Sequence, residues 1–150
     1  MSPAQSAGFK ALMAKPHGPT KMLALGEDWC PDVFRGLPVF QRIAEASGME
    51  LRVFPRDKNL DIMNEYLKDG KFQSIITVIF YTKDVHYLTR WTERPQLASR
   101  ELAGFHEEAR KGLPAGADGG AVWAEAGKKY TPRFSVYQEE TVREVLALLQ

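Results

Sequence analysis

The stretch LALGEDWCPDVFRGLPVF, Leu23 to Phe40, decides how this chain is read. It runs from an apolar segment, through the only cysteine, Cys30, into a segment with helical spacing. The apolar part, Lys21–Gly26, lacks strict alternation, as expected of a strand whose sheet is covered on both faces. Pro31 suits a first helical position, because its missing N–H would have had no partner there. Phe34, Leu37, Phe40, Ile43 and Ala44 recur at helical spacing, with Pro38 inside the pattern and expected to kink it. Ser47-Gly48 supplies a stop. A lone thiol thus sits at a strand-to-helix corner.

Working outward, residues from about Gln5 to Ala14 have helical character, and Pro16, Gly18 and Pro19 mark a turn. MELRVF, Met49 to Phe54, alternates like a strand. Asn59 offers an N-cap for a helix with Leu60, Met63 and Leu67 on its apolar face and Gly70 as its stop. IITVIFY and VHYLTRW are strand-like and joined by TKD, which predicts an antiparallel hairpin. RPQLASRELAGFHEEARKG starts a helix at Pro95. GLPAGADGG, Gly112 to Gly120, reads as a linker. Two helical pieces follow, and Val142, Val145, Leu146 and Leu149 share one face of the second. Strand-helix-strand units followed by a hairpin imply an α/β fold with a mixed sheet and helices on its faces.

The 150 residues suit one domain with a substantial core. A net charge of +1 implies no polyanionic partner, so nucleic acid is not expected. No apolar run approaches the length of a membrane span, and no signal peptide is read at the N-terminus. A single cysteine makes no internal disulfide, and a reducing cytoplasm is the expected location. His17, His86 and His106 lack metal-ligand spacing, so no metal site is expected. GLPAGADGG lacks the Lys-Ser/Thr of a phosphate loop.

The element order, with Trp29-Cys30 between a buried strand and a proline-containing helix, resembles the thioredoxin fold. EDWCPDVFRGLP lines up with the pattern W-C-x-x-C followed by a helix proline, and the match runs from about Thr20 to Phe105. GEDWCPDVFRGLPVF and GMELRVFPRDKNLDIMNEYL look like a little-characterised bacterial thioredoxin-like family with one motif cysteine. The resemblance implies a thioredoxin-like mixed sheet with helices on both faces. Its core would span about 20–110, with an N-terminal helical arm over 1–19 and a helical extension over 113–150.

Three positions depart from the thioredoxin pattern. Val33 replaces the second cysteine, which rules out a dithiol cycle within one chain. Ala24 stands where thioredoxins bury an acid. Ile76 stands where they have a cis-proline, and a cis Ile75–Ile76 bond costs roughly 2.5–4 kcal/mol, so a trans peptide is expected.

Cys30 is the candidate nucleophile. At a helix N-terminus it faces unpaired N–H groups and the positive end of the helix dipole, which favour the reactive thiolate. Glu27, Asp28 and Asp32 oppose it if they point inward, while Asp32 in the first helical turn also stabilises the helix. No histidine is close in sequence; His86 approaches only if the hairpin folds toward the motif. The expected chemistry is monothiol: a mixed disulfide with glutathione or a protein thiol, or a sulfenic acid, resolved by an outside thiol. The alternatives are a redox-inactive binding module and a glutathione-handling transferase. No cofactor is expected beyond glutathione as co-substrate.

Trp29, Pro31, Asp32, Val33, Arg56, Asp57, Ile75 and Ile76 complete the candidate site as supporting or groove residues. Trp29 is read either as a groove rim or as core. Arg56 and Asp57 follow a strand whose carboxyl end shares an edge with the cysteine in the resembled fold. There Arg56 attracts an anionic partner, or the two form a surface salt bridge. RWTERP, Arg90 to Pro95, ends the hairpin and anchors the next helix or forms a functional surface. The apolar face of the last helix packs back on the sheet or forms a homodimer interface.

Overall fold

The computed structural model describes residues 1–150. Ser2 caps α1 (Pro3–Met13) in a reciprocal capping box with Gln5. Then come β1 (Lys21–Gly26), α2 (Pro31–Ser47), β2 (Glu50–Pro55) and the short α3 (Leu60–Glu65). The hairpin β3 (Thr77–Tyr81) and β4 (Tyr87–Thr92) leads into α4 (Gln96–Gly112), α5 (Gly119–Tyr130) and α6 (Phe134–Leu148). The sheet order is β2-β1-β3-β4, with β1 parallel to β2 and antiparallel to β3. This is the mixed sheet that the strand-helix-strand pattern implied.

The central strands are buried on both faces, β3 at four successive residues from Thr77 to Phe80. Met22, Ala24, Val78, Phe80 and Trp91 are buried with Phe9 of α1 and Phe40 of α2. Phe40 meets Phe80 and Trp91 at ring-centroid distances of 6.4 and 5.3 Å. Val142 and Val145 join the same core, with Leu146 and Leu149 packed against it. The apolar face of α6 is therefore buried within its own chain. On the opposite face, the Tyr66 hydroxyl beyond α3 meets that of Tyr81 at 2.8 Å. α4, α5 and the start of α6 close two smaller clusters, one around Leu102, Tyr130 and Tyr137 and one around Ala109, Val122 and Ala126.

Some expected boundaries move. α3 ends at Glu65 rather than near Gly70, because Asp69 and Gly70 take positive φ in a turn closed by a Lys68–Phe72 bridge. Asn59 does not cap α3 through its side chain; its amide donates to the Pro55 carbonyl instead. The GLPAGADGG linker is shorter than expected at both ends. α4 runs to Gly112, and Asp118 caps α5 by accepting from the Ala121 N–H. Pro38 lies within α2 without ending it.

Candidate functional site around Cys30

β1 delivers the chain to the corner, and the Cys30 N–H closes a turn onto the Glu27 carbonyl. Cys30 is the N-cap of α2 but makes no side-chain capping bond. Its carbonyl accepts from the N–H groups of Val33 and Phe34, while its half-buried sulfur remains a free thiol. Cys30 Sγ lies 3.9 Å from the Ile75 carbonyl oxygen. Pro31 opens the helix as expected. Trp29 and Phe34 stand 60% and 61% exposed on either side of the cysteine in sequence. Trp29 is therefore surface, not core.

The Ile75–Ile76 peptide is cis, which corrects the trans expectation. That expectation used the preference of an isolated peptide bond. Here both side chains are buried, and the Ile76 carbonyl accepts from the Glu93 N–H at 2.7 Å, so tertiary packing defines the segment. Gly36 on α2 lets Ile76 approach: a Cβ there would lie 3.1 Å from Ile76 Cγ2. Val33, in place of a second cysteine, is buried against Gly26. Ala24, in place of a buried acid, is a fully buried core residue.

Asp32 departs most from its sequence reading. It is only 8% exposed and neither a solvated first-turn acid nor an unpaired charge. Its two carboxylate oxygens are divided between Arg35, at 3.1 Å, and Arg94. Arg35 is itself 1% exposed and donates to the Glu93 carbonyl at 2.8 Å and to Thr141 Oγ1. Gln138 of α6 donates to the Arg35 carbonyl. Arg94 comes from the RWTERP stretch, which proves to be a hub. Trp91 donates its indole N–H to Glu144, and Glu93 pairs with Lys68. Arg35 and Arg94 were missed as site residues; a buried arginine on a helix face has the same sequence signature as a solvated one.

Arg56 and Asp57 do form a salt bridge, at 2.7 Å. The pair is tied to the cysteine turn. The Arg56 guanidinium lies 5.6 Å from the Trp29 ring centroid and donates to the Gln73 carbonyl. The Asp57 N–H donates to the Glu27 carboxylate at 2.7 Å. His86 does not approach Cys30. It sits in the β3–β4 turn beyond Tyr81, which pairs with Lys21, while Cys30 follows the other end of β1.

The strand-to-helix cysteine corner faces a cis peptide before β3, in a mixed four-stranded sheet. A thioredoxin family model matches residues 5–109. The chain belongs to the thioredoxin family. Two solved structures are similar in fold. One is a protein of unknown function from Pseudomonas aeruginosa, 20% identical, with a TM-score of 0.59 over 99% of this chain and 73% of that one. The other is an HIV epitope-scaffold, 17% identical, with a TM-score of 0.63 over 99% of this chain and 73% of that one. At such identities the likeness speaks for the fold alone. No curated protein matches. No helix is long and apolar enough to cross a membrane.

Proposed function

We propose that this thioredoxin-family chain is a monothiol redox protein with Cys30 as its nucleophile. The observation that carries the proposal is the placement of a free, partly exposed thiol at the N-cap of a 17-residue helix with its side chain uncommitted to capping. Cys30 thiolate attacks one sulfur of a disulfide in a protein or in oxidised glutathione. A Cys30 mixed disulfide forms and the other sulfur leaves as a thiolate. With Val33 in the resolving position, a second external thiolate attacks the partner's sulfur in the mixed disulfide. That attack releases Cys30 and leaves a disulfide between the partner and the incoming thiol. The two exposed aromatics that flank Cys30 in sequence, Trp29 and Phe34, offer a partner apolar surface.

The test is intact-protein mass spectrometry after exposure to oxidised glutathione, then to reduced glutathione. A single adduct that forms on the folded wild type, is absent from Cys30→Ser and is reversed by free thiol supports the reading. A folded protein that takes up no adduct contradicts it. The same aromatic surface also supports a second reading, a redox-inactive binding module, whose partners would be retained by Cys30→Ser in a pull-down.

A further inference from the structure

We propose that the buried cluster around Asp32 binds a small oxyanion, held by Arg35, Arg94 and Tyr130. The proposal is independent of the thiol chemistry. Its first ground is charge. Two guanidiniums, the fully buried Arg35 and the largely buried Arg94, share one carboxylate, Asp32. An uncompensated buried charge is costly, so the excess positive charge calls for a counter-anion. Among the nearby acids, Glu93 pairs with Lys68 and also offsets Arg94, which sets Arg35, Arg94 and Lys68 against Asp32 and Glu93; Glu101 is bound to Arg133 and Tyr137, and Glu144 to the N–H groups of Trp91 and Gln96.

The second ground is unused hydrogen-bonding capacity. The buried side-chain polar atoms without a partner are Thr20 Oγ1, Arg35 Nε, Arg94 Nε, His106 Nε2 and the Tyr130 hydroxyl. Three of them, on Arg35, Arg94 and Tyr130, belong to the cluster around Asp32. Buried polar groups of a native interior are normally satisfied, so this cluster calls for a partner such as water or an anion. Burial and the neighbouring Asp32 push the Tyr130 phenol up, against the opposing pull of Arg35 and Arg94, which places the hydroxyl beside both guanidiniums. Burial, with Arg110 and Arg94 behind it, holds the His106 imidazole down, so it adds no further cation. Arg35 Nε, Arg94 Nε and the Tyr130 hydroxyl are then three donors without an acceptor, a set that suits an oxyanion with several lone pairs. The Arg94 side chain, 18% exposed, is the side open to solvent.

The test is thermal unfolding in sodium phosphate, sodium acetate and sodium chloride at matched ionic strength. The wild-type midpoint should rise with phosphate and acetate and then saturate, as binding to the native state requires. Tyr130→Phe, which keeps every charge, should lose most of that saturable rise, and Arg94→Gln should lose it too. A rise that never saturates and is equal in wild type and Tyr130→Phe is the general effect of excluded salts, and overturns the proposal. Saturation by chloride as readily as by phosphate overturns the oxyanion assignment. If Arg94→Gln fails to fold, the Tyr130→Phe comparison still decides.

Discussion

The Cys30 sulfur lies 3.9 Å from the Ile75 carbonyl oxygen, across a separation of 45 residues. That contact joins the start of α2 to the segment entering β3. It makes the cysteine corner a tertiary feature rather than a local turn. Gly36 packs on Ile76 and Val33 on Gly26, and contacts linking Trp29, Arg56, Asp57 and Glu27 tie the turn before Cys30 to the end of β2.

Asp32 is the centre of the buried ion cluster, so its removal should be felt strongly. Asp32→Ala leaves the Arg35 guanidinium buried without its counter-charge. Losing one partner of such an arrangement costs about 3–5 kcal/mol. Urea unfolding of wild type and variant measures this; a loss below about 1 kcal/mol would contradict the assigned burial of the cluster.

Gly36 tests the packing of α2 on the cysteine corner. On helix propensity alone, a larger residue at this interior position is favourable. The close approach of Ile76 reverses that expectation. Gly36→Val should lose about 1–3 kcal/mol by overpacking, read from the same unfolding curves.

Glu93 gives a pH dependence. Its burial opposes ionisation, but the Lys68 ammonium and Arg94 outweigh it, and the carboxyl lies below the usual glutamate range. The carboxyl therefore holds its proton more weakly in the folded state than in the unfolded one. Its stabilising contribution is present above the unfolded value of about 4.3 and is lost as pH falls through the lower folded value. Glu93→Gln should flatten the fall in stability over that acidic window. An unchanged slope would show that the Lys68 pair contributes nothing.

The extension after α4 should prove inseparable from the rest. Val142 and Val145 lie in the main core, and Thr141 and Gln138 hold Arg35. A chain ending at Gly112 should lose cooperative thermal unfolding by circular dichroism. A sharp transition in that fragment would contradict the integral role of α6.

Much of the fold was legible because its signals are local. Lys21–Gly26 and Pro31–Ser47 form elements with the bounds their spacing predicts, since proline, glycine and apolar periodicity all act within a few residues. Cys30 was placed correctly at the strand-to-helix corner for the same reason. The misread parts depend on distant partners. The Asp32–Arg94 pair spans 62 residues, so nothing beside Asp32 in sequence announces that it is buried. Arg35 carries no sequence signal of burial, which comes from α6 through Thr141 and Gln138. The cis Ile75–Ile76 peptide likewise runs against a local preference. The early start of α5 was readable, since Asp118 precedes it as a good N-cap.

Whether Cys30 is a nucleophile is decided by its alkylation in the folded protein at neutral pH, with iodoacetamide and mass spectrometry. An N-cap thiol free of capping bonds should be modified in the native protein at least as fast as in the chain unfolded in urea, with circular dichroism confirming that the fold persists. A thiol that reacts only once the protein has unfolded would contradict a nucleophilic role for Cys30.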